Sequence, residues 1–151
     1  MHWLDAKEPT LVEGGVTVDD RGVLRFCNEV DLTGIRRFYL ISNHVAGLVR
    51  AWHGHKQERK LMWPLAGAML IGLVSIDDWQ NPSKSSKVVR IVLSAAKPQL
   101  LVVPPGFANG MMSLTADAAL LVLSTLPLDE SIKDDFRFDS RHWDPWQVAE
   151  R

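Results

Sequence analysis

An all-β sandwich or barrel is the fold class this sequence predicts. Short runs rich in Val, Ile, Leu, Phe and Trp recur at close spacing, clusters of Gly, Pro, Asn and Asp separate them, and almost no stretch carries a helical period. With 46% apolar and 23% charged residues among 151, the composition is that of a globular chain able to bury one core. A single domain is expected, with the barrel over about residues 16–126 and a docking tail over about 127–151.

In chain order, β-rich runs at 16–18 and 23–26 flank Asp19-Asp20-Arg21-Gly22, whose Asp and Gly suit a tight turn, so a hairpin is expected. Strands are predicted next over 35–42, after Gly34, and over 48–53, after Gly47. Further strands follow over 60–65, 68–76, 87–93, 99–103, 109–114 and 118–125. Turn signals at Ala66-Gly67, Asn81-Pro82-Ser83, Ala96-Lys97-Pro98, Pro104-Pro105-Gly106 and Ala116-Asp117 punctuate them. The apolar stretch 61–76 is broken by Pro64, Gly67 and Gly72 and is shorter than the roughly 20 residues of a membrane span, so it reads as two buried strands. Helix is expected only over 129–135, with Asp129 as its cap. The segment 136–146 sets Phe136, Phe138, Trp143 and Trp146 among charges and is expected to dock across the body and close the sandwich.

The formal net charge of −1 creates no global field for nucleic acid or an anionic membrane, so neither is expected as a partner. An anionic ligand must therefore meet a local cluster of Arg and Lys. Cys27 is the only cysteine, which rules out an intramolecular disulfide and a thiolate metal cluster and fits a reducing cytoplasm. Residues 1–9 lack the basic and apolar regions of a signal peptide, so export by that route is not expected.

The chemically densest stretch begins Arg50-Ala51-Trp52-His53-Gly54-His55-Lys56-Gln57-Glu58-Arg59-Lys60 and ends at Gly67. On a strand, residues i and i+2 point the same way, so His53 and His55 aim two imidazoles, starting roughly 7 Å apart, into one space. The plain alternative is a pair of buried polar residues satisfied by hydrogen bonds; two rings on one face beside Arg50 and Lys60 favour chemistry. His titrates near neutral pH, so such a pair can take a proton from carbon and return it elsewhere, while Lys60 or Arg50 stabilises the enolate oxygen formed in between.

The spacing of Gly47, His53, His55, Lys60 and Gly67 resembles the first signature of the cupins, a jelly-roll β-barrel superfamily, with Lys60 in place of the usual glutamate. Pro104-Pro105-Gly106-Phe107-Ala108-Asn109 approximates the second, with Asn109 where metal-binding cupins place a third histidine. Two imidazoles, an ammonium and an amide make a poor metal site, so no metal is expected. Residues 50–56 resemble the Arg-Gly-aromatic-His-Ala-His-Lys motif of dTDP-4-keto-6-deoxyglucose 3,4-ketoisomerases, and Arg37-Phe38-Tyr39 is similar to their Arg-Val-Tyr strand. Lys60-Leu61, Gly67 and residues 104–110 resemble motifs of dTDP-4-dehydrorhamnose 3,5-epimerases, as does Asn43-His44. Asp20-Arg21-Gly22 is similar to a turn in both families.

The resemblance implies a cupin jelly roll, a homodimer, a nucleotide-diphosphate sugar as ligand and no cofactor. It implies metal-free isomerisation or epimerisation of a nucleotide-linked 4-keto-6-deoxy sugar in the making of a surface polysaccharide. His53 would be the base and His55 a second acid or base. Arg21 would reach the diphosphate across a dimer interface, Arg50 and Lys60 would face the sugar, and Asn43, Asn109 and Tyr39 would complete the binding set. The tyrosine acid of the epimerases falls at Val122, and the aspartate that orients their catalytic histidine has no counterpart after Trp146, so a one-face shuttle of the ketoisomerase kind is implied more directly than double epimerisation. A non-catalytic sugar- or nucleotide-binding module and a metal-dependent cupin oxygenase are the alternatives.

Overall fold

The computed structural model describes residues 2–151. Strands run over β1 (Thr10–Glu13), β2 (Gly15–Asp19), β3 (Gly22–Phe26), β4 (Arg37–Ser42), β5 (Val49–Gly54), β6 (Lys60–Ala66) and β7 (Ala68–Ser75). They continue over β8 (Val88–Ser94), β9 (Gln99–Val103), β10 (Phe107–Ser113), β11 (Ala119–Ser124) and β12 (Phe136–Arg137), with one helix, α1 (Leu128–Lys133), before the last. The all-β expectation holds, and most predicted strands agree with the observed bounds to within two residues. β1 and β12 were not foreseen: each is too short to show a period of its own and exists because a neighbouring strand, β9 or β5, offers it an open edge. Asp129 does not cap α1; Pro127 occupies that place without a side-chain hydrogen bond, and Asp129 lies in the first turn.

Two antiparallel five-stranded sheets, ordered β1-β9-β6-β11-β4 and β12-β5-β10-β7-β8, pack face to face. Between them Met62, Leu101, Leu120 and Val122 from the first meet Met69, Ile71, Leu73 and Met111 from the second. Each outer face has its own cover. Trp3 and Ala6 lie with Leu61, Leu100 and Val102 on the first sheet, and Trp143 and Trp146 lie with Trp52, Leu70 and Val74 on the second. Strand β7 is therefore buried on both faces, which explains why it reads as a continuous apolar run. The β2–β3 hairpin belongs to neither sheet, and its turn uses Gly22 at φ 136°, a conformation that L side chains rarely adopt.

Candidate active site

Strand β5 is fixed from its outer face. Trp52 is fully buried, with Trp143 edge-on at 5.3 Å and Trp146 tilted at 5.1 Å, and its indole N–H donates to the Trp143 carbonyl at 3.1 Å. The rings fit because Gly72 and Gly110 pair across β7 and β10; a Cβ on Gly72 would fall 2.6 Å from the Trp52 ring. With Trp52 turned outward, His53 turns inward. The β5–β10 ladder pairs His53 with Asn109 and Arg50 with Met111, so three residue steps on β5 match two on β10. That bulge brings Arg50 to the same side as His53, which strict alternation from the sequence would not do.

The resulting cavity, about 160 Å³, lies between the sheets. Its polar lining comes from four strands: Tyr39 on β4, Arg50 and His53 on β5, Lys60 on β6 and Asn109 on β10. Ile41, Met62 and Met111 supply the apolar part. Asn109 also donates from its amide to the His53 carbonyl at 3.1 Å, tying the two strands together beside the ring.

Hydrogen-bond geometry assigns the same tautomer to both histidines. His53 Nδ1 lies 3.3 Å from Asp135 Oδ1, and His55 Nδ1 lies 2.7 Å from the Asp134 carbonyl oxygen. Both oxygens accept, so each Nδ1 carries the hydrogen and each Nε2 keeps its lone pair. Burial pushes both rings below the ordinary histidine range. For His53 the Asp135 carboxylate offsets part of this while Lys60 and Arg137 add to it; for His55 Lys60 adds to it and Glu58 opposes it. Both imidazoles are thereby poised as neutral bases near pH 7. His55 Nε2 is buried and has no hydrogen-bond partner among the described residues.

A buried carboxylate sits behind them. Glu58 Oε1 accepts from Ser124 at 2.5 Å, Ser131 at 2.8 Å and Arg37 at 3.2 Å. Oε2 lies 3.2 Å from His55 Nδ1 and 3.6 Å from Lys60 Nζ. Burial alone would raise the Glu58 carboxyl, but Lys60, Ser124, His55 and Ser131 together hold it below the usual carboxylate range. The turn carrying Glu58 is clamped by Asp134, whose carboxylate accepts the backbone N–H groups of Lys56, Gln57 and Glu58 at 2.9, 2.8 and 2.8 Å. Arg37 extends the network, its guanidinium lying 4.9 Å from the centre of the Tyr39 ring.

Of the residues singled out in the sequence, Tyr39, Arg50, His53, Lys60 and Asn109 meet in the cavity, with His55 beside Lys60 and Glu58. Two do not join them. Arg21 is on the β2–β3 turn, where its largely exposed guanidinium pairs with Asp19 at 2.6 Å. Asn43 is buried and donates to Ser113 Oγ at 2.7 Å. The sequence offers no orienting aspartate after Trp146, but an earlier one, Asp135, between α1 and β12, lies beside His53 Nδ1. Glu58, Asp134 and Ser131 were likewise not assigned a role from sequence. Only the adjacent pair Asp134-Asp135, set before an alternating Phe-Arg-Phe, hints at them. Tyr39 pairs in register with Val122 on the neighbouring strand, so the chain's one tyrosine lies directly across from the position where sequence comparison finds it missing.

The family model of dTDP-4-dehydrorhamnose 3,5-epimerase matches residues 6–143, nearly the whole chain. The chain belongs to this family of dTDP-sugar isomerases. Among solved structures, QdtA, a sugar 3,4-ketoisomerase from Thermoanaerobacterium thermosaccharolyticum, is 23% identical with a TM-score of 0.66, covering 90% of this chain and 92% of its own. The Mycobacterium tuberculosis rmlC epimerase is 14% identical with a TM-score of 0.69, over 89% of this chain and 70% of its own. A dTDP sugar isomerase from Desulfovibrio desulfuricans is 16% identical with a TM-score of 0.74, over 95% and 94%. No curated protein matches the sequence. The shared fold is the cupin jelly roll, and family membership makes this chain a nucleotide-sugar isomerase or epimerase. No three His, Cys, Asp or Glu side chains converge as a metal-ligand set, and no helix is long and apolar enough to cross a membrane, among the described residues.

Proposed function

We propose that this member of the family moves protons about the carbonyl of a nucleotide-linked 4-keto-6-deoxy sugar by metal-free acid–base chemistry, with 3,4-ketoisomerisation favoured over 3,5-epimerisation. The observation that carries this reading is the pair of imidazoles held as Nδ1–H tautomers, with His53 in the wall of a cavity that also holds Lys60, Arg50 and Tyr39, and His55 beside Glu58. His53 Nε2 takes the proton from C3, breaking the C–H bond, and the electron pair moves onto the C4 oxygen. Lys60 and Arg50 stabilise that enolate oxygen as charge develops. His55 carries the hydroxyl proton between the C3 and C4 oxygens while His53 returns its proton to C4, leaving the carbonyl at C3. No proton is gained or lost overall. Tyr39 provides a second acid from another strand, and with it 3,5-epimerisation remains the alternative outcome.

A cavity of about 160 Å³ is smaller than the roughly 300–1,000 Å³ of sites that enclose a drug-sized ligand. It suits the sugar ring, with the nucleotide lying outside the rim. QdtA, of the same fold, was crystallised in complex with TDP. A second copy of this chain is the proposed source of the missing contacts. Val18 and Leu24, on the hairpin that carries Arg21, the one arginine expected to meet the diphosphate, are 73% and 63% exposed, and outward-facing Phe38 and Leu40 on edge strand β4 are 66% and 61% exposed, so the chain presents apolar surface suited to a homodimer. Asn43, tied to Ser113, is assigned a supporting part in holding the loop after β4. A cytoplasmic place in deoxysugar supply for a surface polysaccharide follows from the same reading.

Incubation with dTDP-4-keto-6-deoxyglucose in deuterated water tests the proposal. Deuterium at C4 of a 3-keto product supports ketoisomerisation, and deuterium at both C3 and C5 of a 4-keto product supports epimerisation. Absence of exchange with any keto-sugar nucleotide would leave the binding module as the better account.

A further inference from the structure

We infer that Glu58 is a positioning residue that sets the tautomer of His55 and the place of Lys60, and so gives the reaction its second proton carrier. This deepens the acid–base reading above and rests on it for its kinetic part. The carboxylate is fully buried, and one oxygen is immobilised by three donors from three different elements: Ser124 on β11, Ser131 on α1 and Arg37 on β4. A carboxylate held so firmly at one oxygen presents the other in a fixed direction. That second oxygen has no hydrogen bond of its own, yet it lies 3.2 Å from His55 Nδ1 and 3.6 Å from Lys60 Nζ.

The consequence for His55 is electrostatic. Its Nδ1 faces two oxygens that can only accept, the Asp134 carbonyl at 2.7 Å and Glu58 Oε2 at 3.2 Å. An Nδ1 lone pair would be repelled by both, so the hydrogen stays on Nδ1 and Nε2 keeps its lone pair. Nε2 is buried with no hydrogen-bond partner among the described residues, so it is the ring atom left to take a proton. When that proton arrives, the imidazolium forms 3.2 Å from a carboxylate, which offsets both burial and the Lys60 ammonium. The charged groups facing His55 are Glu58 and Lys60 from the β5–β6 segment and Asp134 from the end of α1; Arg37 reaches it only through Glu58. The same carboxylate anchors Lys60 at the cavity wall and, through Arg37, braces the Tyr39 ring.

Two measurements test this. Nitrogen-15 NMR of histidine-labelled protein reads the His55 tautomer directly and needs no substrate: a neutral ring protonated at Nδ1 is expected, and protonation at Nε2 would overturn the inference whatever the enzyme's activity proves to be. In the kinetic arm, Glu58→Gln should lower kcat for exchange by about 10- to 100-fold with little change in KM, the usual size for loss of an orienting partner. Its acidic limb should move to lower pH, because the ring loses the anion that favours its protonated form. Glu58→Asp, which keeps the charge, should leave that limb near the wild-type position. A loss of rate in Glu58→Gln with an unmoved limb and an unchanged His55 tautomer would assign Glu58 a packing role only and refute the inference. Folding of each variant is followed by the dispersion of its NMR spectrum, and the wild-type tautomer remains decisive if Glu58→Gln does not fold.

Discussion

Asp135→Asn removes the charge beside His53 while keeping the size of the side chain. At the 3.3 Å separating Nδ1 from Oδ1, an imidazolium and a carboxylate attract by about 5 kcal/mol at an effective dielectric of roughly 20 and by about 1 kcal/mol in water. The His53 side chain is 37% exposed and that of Asp135 is 23% exposed, so solvent screening selects the lower end, about 1–2 kcal/mol. On charge alone the rate should then fall roughly tenfold. The amide adds a second loss, because its NH2 can donate to Nδ1, which drives the ring's hydrogen to Nε2 and leaves His53 no free basic nitrogen. A combined loss of about 100-fold in kcat/KM for deuterium exchange is expected. The pH profile carries the sign. Neutral His53 is the active form, and Asp135 raises the ring's hold on its proton, so removing the carboxylate should move the acidic limb to lower pH. Arg137, which donates to Asp135 at 2.9 Å, acts in the same direction once its partner is neutral. The assay is NMR-detected exchange from deuterated water across the pH range. An unchanged rate together with an unmoved limb would refute the assignment of His53 as the base oriented by Asp135.

Three other outcomes follow from the same structure. Tyr39→Phe keeps the ring beneath Arg37 and removes only the hydroxyl, so kcat should fall by about 100-fold or more with the melting temperature unchanged; wild-type turnover would dismiss Tyr39 as an acid. Trp143→Ala removes a ring that is 3% exposed against Trp52 and should reduce stability by about 3–5 kcal/mol in urea unfolding, whereas a loss below about 1 kcal/mol would show the tail to be peripheral. In sedimentation velocity the wild-type chain should run as a dimer and Phe38→Glu, on the exposed face of β4, as a monomer with much reduced exchange; a monomeric wild type would end the dimer reading.

Much of the fold was legible because it rests on local signals. Turn residues and short β-rich runs located ten of the twelve strands, and the His-x-His spacing picked out the strand that brings Arg50 and His53 to the cavity. Tyr39, Arg50, His53, Lys60 and Asn109 were each picked out one at a time, and the sheets bring them to one cavity. What escaped notice shares one physical cause. Asp135 and Asp134 act at sequence separations of 82 and 79 residues from His53 and His55, and Glu58, only three residues from His55, is anchored by Ser124 and Ser131 at separations of 66 and 73, so no local period or motif reveals these partners. A pair of aspartates after a short helix looks like solvated charge until a strand edge is seen beside it.

The amino-acid sequence by itself determined the strand alternation that sets His53 opposite to Trp52, the buried double-sided run of β7, and the absence of a third imidazole and of the usual glutamate. Those properties follow from side-chain type and spacing along the backbone, which the chain carries before it folds. Tertiary structure alone decided which nitrogen of each imidazole is basic, because the α1–β12 segment brings its carbonyl and carboxylate oxygens to Nδ1 only when β12 pairs with β5. It also decided that Arg50 joins the cavity, since one extra residue in the β5 ladder reverses the alternation there. And it set Tyr39 opposite Val122, because the register between β4 and β11 is fixed by packing between the sheets and is written in neither strand alone.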